Sequence, residues 1–592
     1  MCNSTAPNAH YGNRNTQISD SWNANRSDQI VFDYYYARLN MSTIATEVLY
    51  NGIKLDVEWP PRNQNVDTFS AFDAPYLENP PHIIPIDIGR QLFVDDFLIE
   101  ETDCVRFFVK PKIHPSSPIL IPETYEEMDR GNCPMAAPFN DGVWYDSSDQ
   151  LFKMWYMAGW FHTTAIATSV DGIRWTRPQL DVVPGTNLVW KTQKSYERDG
   201  CLVWLDGNAS NPEQKFKMFQ FYRYNSDVFY DGDSEVSWLQ TSKDGIHWST
   251  PVSTTPVGDN TSFFYNPFRK KWCMSIRRAI ESNNKLLPIG IRSRFYTESD
   301  DFMKGANWDV SSSEVLWHLA DTHDLPDPAF PNHVVTLYDV NAVAYESLMI
   351  GLFGIFRGPE NNICKDLGIP KTIDLELGYS RDGFHFTRPD RTPFIGSSRV
   401  VGDWRRAYLH AAGGICLVVN DELYFYFTGF SGESPNLKND ETGSPGRMRN
   451  VMYAGASTGL ATLRRDGFAF MKPKDEEGRL TTRLLSFSGT HLFINGNFSD
   501  GELQVEILDV NGRIIEGYSR YDCLPVSSDK TKVEIQWKER NSLVNVKKQP
   551  IHIRFYLRNG ELYSFWISAS ETGASNGYVA AGGPGFTGGR DI

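Results

Sequence analysis

The sequence predicts an all-β protein: a five-bladed β-propeller followed by a C-terminal β-sandwich, with a short N-terminal extension. Three observations support this prediction. A short phrase built on Asp-Gly recurs along the chain, β-rich runs separated by turns fill the intervals between its copies, and the pattern changes near residue 475. Repeats of this length with strands between them are typical of propellers.

The repeated phrase predicts the number of blades. It occurs as TSVDGIRWTRP (168–178), TSKDGIHWSTP (241–251), ESDDFMKGANW (298–308), YSRDGFHFTRP (379–389) and LRRDGFAFMKP (463–473). Its aspartates are Asp171, Asp244, Asp301, Asp382 and Asp466, which lie 57 to 84 residues apart. In such a phrase the carboxylate accepts hydrogen bonds from turn amides and Gly supplies a positive φ. We therefore interpret these aspartates as turn residues rather than catalytic acids.

The remaining segments predict the other domains. Residues 1–85 begin polar and Asn-rich and contain two Pro-Pro pairs, which is typical of an N-terminal extension packed on the main body. The catalytic propeller is expected to span residues 86–475. From residue 476 no further SxDG phrase appears, and strand-like runs joined by Asn-Gly turns predict a β-sandwich over 476–592.

Composition and net charge limit the classes of binding partner and cofactor that we expect. The formal charge of −15 argues against nucleic acid or an anionic membrane as the main partner. No apolar run approaches the ~20 residues of a membrane-spanning helix. The eight cysteines are scattered without a CxxC pair, so we predict no metal site and no cofactor from them. A central metal ion and the oligomeric state stay open.

The first residues bear on location. Residues 1–20 are polar throughout, so no signal peptide is predicted within them. Cys2 directly after Met1 has two interpretations, an ordinary residue or a lipid-attachment cysteine. We expect a periplasmic or cell-surface location in a bacterium, and a cytoplasmic location stays open.

Position in a blade predicts the catalytic carboxylates. Ligands of a propeller bind at one mouth of its central channel. Neighbouring strands of a blade are antiparallel, so the start of the inner strand and the loop between the second and third strands lie at the same mouth. The carboxylates expected there include Asp199, Asp259, Asp339 and Glu360. Glycoside hydrolysis needs two carboxyl groups, one to protonate the leaving oxygen and one as base or nucleophile. We assign Asp199 or Asp339 as base or nucleophile, and Glu360 or Asp259 as proton donor.

The same positions collect arginines. The predicted substrate-binding residues are Arg130, Arg198, Arg277, Arg357 and Arg405, together with Asp129. Guanidinium groups bind carboxylates in a bidentate manner, so an acidic sugar, either a uronic or an ulosonic acid, is the expected ligand. The alternative is that these arginines pair with neighbouring aspartates and only hold blades together. Glu346 aligns with the turn after the inner strand, which is expected on the opposite side of the channel.

Several segments resemble a known group of enzymes. They are QLFVDDFLIEET, GVWYDSSDQLFKMWYMAGW, FFYNPFRKKW, AVAYESLMIGLF, LGYSRDGFHFTRP and GYVAAGGPGFTG. With them the chain resembles the five-bladed propeller glycosidases of the levanase/invertase and arabinanase type, and it is most similar to glycoside hydrolase family 143. That resemblance implies hydrolytic release of 2-keto-3-deoxy-D-lyxo-heptulosaric acid, an ulosonic diacid, from the pectin rhamnogalacturonan II.

The chain also departs from the better-known patterns. It has no WMNDPNG segment, no RDP triplet and no Glu-Cys acid/base pair. No catalytic residue is therefore transferred by motif, and the assignments above rest on blade position. Three alternatives stay open: a non-catalytic carbohydrate-binding propeller, an exo-acting furanosidase on a neutral sugar, and a lyase acting on a uronate.

Overall fold

Strands dominate the structure. The computed structural model describes residues 46–62, 70–129, 133–190, 196–224, 235–280, 290–433, 453–547 and 549–592. Strands hold 46% of the residues and helices 4%, which confirms the predicted all-β class. None of the helices in these ranges is long and apolar enough to cross a membrane.

The contacts divide the chain into two units. One comprises residues 1–47 and 55–59, and the other comprises residues 48–54 and 60–592. In the described part of the first unit, the Leu55 amide donates to the Glu47 carbonyl at 2.9 Å. Most of the predicted extension, residues 1–45 and 63–69, lies outside the described residues, and its packing stays a prediction.

The second unit begins with short elements. They are helix α1 (Pro75–Glu78) and strands β1 (Ile84–Pro85), β2 (Gln91–Leu92), β3 (Ile99–Thr102), β4 (Cys104–Phe108) and β5 (Lys112–Ile113). They are followed by the strand-rich part that contains the repeated phrase.

That part forms five successive groups of antiparallel strands. The first is β6 (Met135–Asp146), β7 (Leu151–Ala158) and β8 (Thr163–Ser169). The second is β9 (Tyr196–Leu205), β10 (Phe216–Tyr224), β11 (Glu235–Ser242) and β12 (Val252–Ser253), and the third is β13 (Ser262–Asn266), β14 (Lys271–Ile280), β15 (Ile291–Ser299) and β16 (Val315–Leu319). The fourth is β17 (Thr336–Glu346), β18 (Leu348–Gly358) and β19 (Thr372–Ser380), and the fifth is β20 (Leu409–Val419), β21 (Glu422–Phe430) and β22 (Ala456–Arg464). Helix α2 (Val310–Ser313) precedes β16, and helix α3 (Asn361–Leu367) follows β18.

The first strand of each group lies innermost. β6 contacts β9, β9 contacts β13, β13 contacts β17, β17 contacts β20, and β20 contacts β6. We call this closed cycle the inner ring. The outer strand of the fifth group is β5, which pairs antiparallel with β22 through Ile113 opposite Ala461. The chain before the first group therefore completes the last one.

The Asp-Gly phrases form turns, as predicted. Asp171 Oδ1 accepts hydrogen bonds from the amides of Ile173 and Arg174, at 2.9 and 2.8 Å. The Ser169 hydroxyl oxygen accepts from the Gly172 amide at 2.9 Å, and Gly172 has a φ of +73°. The same bonds recur at 242–247 and at 380–385. These carboxylates are therefore engaged in holding turns.

Aromatic side chains of neighbouring groups bind these turns. Tyr426 donates to the Gly172 carbonyl, Trp155 to the Gly245 carbonyl and Trp317 to the Phe384 carbonyl, at 2.8, 2.8 and 2.7 Å. In the fifth phrase, Asp466 Oδ1 accepts from the Tyr345 hydroxyl at 2.6 Å. The repeats thus form hydrogen bonds between adjacent groups.

The rest of the chain forms two further sheets. Its strands are β23 (Ala469–Pro473), β24 (Glu477–Thr482), β25 (Leu485–Ser486), β26 (His491–Asn497), β27 (Glu502–Leu508), β28 (Asp529–Glu534), β29 (His552–Arg558), β30 (Glu561–Ser568) and β31 (Tyr578–Val579). One sheet has the order β28-β26-β30-β23-β4, and the other has the order β27-β29-β24-β3. Phe93, Phe555 and Phe565 pack between them, with ring centroids 5.4 to 6.4 Å apart.

Strands β3 and β4 lie in these sheets, although the boundaries predicted at residues 86 and 475 place them in the propeller. The predicted boundaries themselves stay untested.

The C-terminal tail crosses one end of the inner ring. The Ala581 amide donates to the Cys416 carbonyl, and the Tyr145 amide donates to the Ala581 carbonyl, both at 3.0 Å. β31 pairs with the end of β17. Glu346 lies at this end, where it accepts hydrogen bonds from the Arg90 amide at 3.0 Å and from Ser575 at 2.7 Å. This agrees with the expectation that Glu346 lies away from the mouth.

The bond between Tyr345 and Asp466 gives a stability prediction. We expect Tyr345→Phe to lower the free energy of unfolding by about 1.5–3 kcal/mol, because a buried carboxylate loses a hydrogen-bond donor. Urea unfolding measures this change. Tyr521→Phe is the matched control, since Tyr521 is 79% exposed and its change is expected to stay within about 0.5 kcal/mol. Equal stability of the two variants would contradict the proposed contact between groups.

Candidate functional site

The starts of the inner strands bring charged residues together at the end of the inner ring opposite the tail. We call this end the mouth. Asp199 lies near the start of β9, Asp339 near the start of β17 and His410 near the start of β20. The antiparallel register places the end of β10 and the start of β15 at the same end, with Arg198 opposite Tyr222 and Arg277 opposite Arg294.

Two carboxylates share one guanidinium at the mouth. Arg223 Nε donates to Asp199 Oδ2 at 2.8 Å, and Arg223 Nη2 donates to Asp259 Oδ2 at 2.7 Å. Its Nη1 donates to Glu235 Oε1 at 2.6 Å. Asp259 Oδ1 also lies 3.2 Å from Arg277 Nε. The structure therefore unites three of the predicted residues, namely Asp199, Asp259 and Arg277.

The two carboxyl groups differ in acidity. Burial raises the pKa of Asp199 to about 6; the positive charge of Arg223 opposes this rise, and the negative charge of Asp259 adds to it. Burial also acts to raise the pKa of Asp259, but the charges of Arg277 and Arg223 hold it below its ordinary value. One member of the pair therefore retains its proton in mild acid while the other is ionised.

Lys371 lies in an aromatic cage at the mouth. Its ammonium group donates to the Tyr338 hydroxyl at 3.0 Å, and it lies 4.5 Å from the ring centroids of Tyr338 and Tyr408 and 4.9 Å from that of Tyr453. The side chain is fully buried. Tyr453 in turn interacts electrostatically with Asp199, Asp259 and Arg292, so the cage lies within electrostatic range of the carboxylates. Because lone lysines carry no motif, only the position at the start of a third strand could have indicated Lys371.

Three cations of the mouth have no acidic partner in the part of the chain that the structure describes. No described carboxylate lies within ion-pair distance of Lys371, Arg292 or Arg294, and Asp339 acts on Arg294 only at longer range. Arg292 lies 5.6 Å from the rings of Tyr338 and Phe356. Arg294 donates to the Asn260 carbonyl at 2.7 Å, and burial lowers the pKa of its guanidinium to about 10. A buried cation without a counter-ion is costly, so this arrangement favours a bound anion.

Asp339 lies beneath the mouth. It is fully buried, and its Oδ2 is 3.6 Å from His410 Nδ1. Neither carboxylate oxygen accepts a hydrogen bond from a described residue. Burial lowers the pKa of His410. A Cβ on Gly354 would lie 1.9 Å from Asp339 Oδ1, so the glycine is what admits this carboxylate.

The other predicted residues have structural partners or lie at the rim. Arg198 forms an ion pair with Asp141, and both side chains are fully buried. Arg357 donates to Asp374 at 2.9 Å and to Glu376 at 2.6 Å. Arg198 thus pairs with a carboxylate of a neighbouring group, and Arg357 pairs with carboxylates of its own group.

Of the remaining four predicted residues, the structure describes three, which lie in loops outside the cluster of Asp199 and Asp259. Arg405 donates to the Gly396 carbonyl at 2.7 Å. Asp129 accepts from the Cys133 amide at 3.3 Å. The half-exposed Glu360 lies at the start of α3, 3.7 Å from His333 Nδ1. Arg130 lies outside the described residues.

The described residues offer no evident metal site. Across the ranges given above, no group of three or more His, Cys, Asp and Glu side chains could hold a metal ion.

Comparisons with known proteins are distant. No protein-family model and no curated protein matches the chain. Among solved structures, it is similar to an N-acetylgalactosamine deacetylase from F. plautii in complex with blood group B trisaccharide (12% identity, 61% of this chain and 96% of that chain, TM-score 0.38). It is also similar to a β-1,2-mannobiose phosphorylase from Listeria innocua (12%, 60% and 97%, TM-score 0.36) and to a β-fructofuranosidase from Schwanniomyces occidentalis (12%, 77% and 97%, TM-score 0.34). Likenesses at these TM-scores establish neither a shared activity nor a shared substrate.

The carboxylate pair gives a pH prediction. We expect an infrared carbonyl band of a protonated carboxylic acid that disappears as pH rises through about 6 and is missing in Asp199→Asn. In Asp259→Asn the transition should move to lower pH, because a negative charge that raises the pKa of Asp199 is removed. The difference spectra of the three proteins measure this. A transition at the same pH in wild type and Asp259→Asn would show that the two groups do not interact.

Proposed function

We propose that the chain is a five-bladed β-propeller with a C-terminal β-sandwich and acts as a glycoside hydrolase that releases an acidic sugar. One observation supports this proposal above the others. A fully buried lysine without an acidic partner among the described residues packs on Tyr453, which is within electrostatic range of two carboxyl groups of opposite pKa shift. Such a site can bind an anionic group and supply both an acid and a base.

The pKa directions favour a particular division of roles. Asp199, with its raised pKa, is the proposed proton donor to the leaving oxygen, and the ionised Asp259 is the proposed base or nucleophile. This reverses the assignment that blade position suggested for the two residues. Arg223 orients both groups, since it donates to each of them.

The cations suggest the class of sugar. Lys371 and Arg292 lie near the pair, and their charges are not cancelled by described carboxylates. A carboxylate on the substrate would supply the missing counter-ion, which favours a uronic or ulosonic acid over a neutral sugar. The resemblance to glycoside hydrolase family 143 makes 2-keto-3-deoxy-D-lyxo-heptulosaric acid, on a pectin-type glycan, the proposed substrate unit. A periplasmic or cell-surface location would give access to such a glycan.

The proposed roles predict the effect of amide variants. We expect Asp199→Asn and Asp259→Asn each to lower kcat by about 10²–10⁴-fold on oligosaccharides that end in an acidic sugar, with thermal unfolding close to wild type. Release of the free sugar acid, followed by chromatography, measures turnover. Glu360→Gln, at the rim, is the matched control and should retain most of the activity. Near-normal turnover of both aspartate variants would refute the assignment.

The same assay separates the alternative activities. A lyase would give an unsaturated product that absorbs in the ultraviolet, and a non-catalytic binding protein would retain the oligosaccharide without releasing any product. Either result would contradict the proposed hydrolase.

The aromatic cage gives a second prediction. Lys371→Met should raise KM for acidic oligosaccharides by about tenfold to a hundredfold, since a charge-assisted hydrogen bond of about 1.5–3 kcal/mol is lost. Its folding stability should equal or exceed that of wild type, because an apolar side chain of similar length replaces a buried charge. Lys243→Met is the control, since the Lys243 side chain is 69% exposed. An unchanged KM in Lys371→Met would show that the substrate carboxylate binds elsewhere.

A further inference from the structure

A cavity lies at the end of the inner ring opposite the mouth. Its volume is about 230 Å³, and we call it the far cavity. The turns after β6, β9 and β13 form its floor, and residues 578–589 of the C-terminal tail form its side. It is lined by described residues throughout and shares none with the mouth.

Six aromatic residues line the far cavity. They are Trp144, Tyr145, Trp204, Tyr265, Tyr578 and Phe586. Trp144 Nε1 donates to the Val203 carbonyl at 2.8 Å, and its ring lies 4.6 Å from that of Trp204, so the floor is held in one orientation. Tyr265 is half-buried, and its hydroxyl makes no hydrogen bond to a described residue. A planar apolar surface therefore meets a free hydroxyl group in one concave site.

The charges around the far cavity are compensated. Asp146 accepts from Lys153 at 2.8 Å and from Lys215 at 2.9 Å, and Asp206 accepts from Lys217 at 2.6 Å. Each lining carboxylate thus has a lysine partner. This is the reverse of the mouth, where Lys371 has no acidic partner among the described residues, and it favours an uncharged ligand.

We propose that the far cavity binds the pyranose ring of a neutral sugar. Aromatic faces pack against the C–H faces of such a ring, while its hydroxyl groups bond to polar groups at the edge of the site, here Tyr265 and the exposed Asn208. The volume of about 230 Å³ is enough for a ligand of the size of one sugar ring. This inference does not depend on catalysis at the mouth.

Gly207 allows a test that leaves the floor intact. It lines the far cavity, and a Cβ at this position would have only the Gly589 amide nitrogen, at 4.0 Å, within reach. Gly207→Phe should therefore block the cavity without strain, and Gly207→Ala is the matched control. Tyr265→Ala removes one aromatic face and one hydroxyl, and Tyr521→Ala, at an exposed turn between β27 and β28, is its control.

Ligand-observed NMR titration of the full chain with methyl β-D-galactopyranoside and methyl α-L-rhamnopyranoside provides the measurement. We expect wild type, Gly207→Ala, Tyr521→Ala and Lys371→Met to bind at least one of the two neutral glycosides. Gly207→Phe and Tyr265→Ala should bind it about tenfold more weakly or not at all.

Absence of neutral-glycoside binding in wild type, or equal binding by Gly207→Phe, would overturn the proposal. Loss of neutral-glycoside binding in Lys371→Met would place the bound sugar at the mouth and would overturn it as well. None of these outcomes depends on turnover, so they are distinct from failure of the proposed hydrolase.

Discussion

Closure of the inner ring between β20 and β6 is the constraint on which the mouth depends. Asp199, Asp259, Lys371 and Tyr453 come from four different groups of strands, and only a closed cycle brings their starts to one end. The short strand β5 contributes to this closure, because it completes the fifth group from the beginning of the unit. Hydrogen bonds from aromatic residues to the Asp-Gly turns link neighbouring groups of strands at further points around the ring.

The two ends of the ring differ in how completely their charged side chains are paired. At the tail end, the charged side chains that line the cavity have partners of opposite sign, and Glu346 is engaged by Arg90 and Arg465. At the mouth, positive charge exceeds what the described carboxylates compensate, and the pKa values of Asp199 and Asp259 move in opposite directions. A fold that leaves buried charge unpaired loses stability, so a retained unpaired lysine indicates a role in binding.

The sequence was sufficient for those features that depend on local pattern. Turn chemistry and strand alternation predict the Asp-Gly turns, the all-β class and the placement of Glu346 away from the mouth. The location of Asp199 and Asp259 at the mouth is predicted from their position before or at the start of an inner strand. The pairing of Arg198 with Asp141 and of Arg357 with Asp374 depends on which strands become neighbours, which no local pattern encodes. Lys371 could not be selected because its significance lies in three tyrosines from distant parts of the chain. The division of roles between Asp199 and Asp259 depends on burial and on the shared Arg223, which are properties of the folded state.

The central claim is that the mouth binds the carboxylate of an acidic sugar next to the acid and base. A crystal structure of Asp199→Asn with a bound oligosaccharide that ends in a sugar acid tests it most directly. We predict a substrate carboxylate oxygen within about 3 Å of Lys371 Nζ, as in other charge-assisted hydrogen bonds, with the glycosidic oxygen facing residue 199. A sugar acid whose carboxylate lies away from Lys371 and Arg292, or whose glycosidic bond lies away from Asp259, would contradict the account.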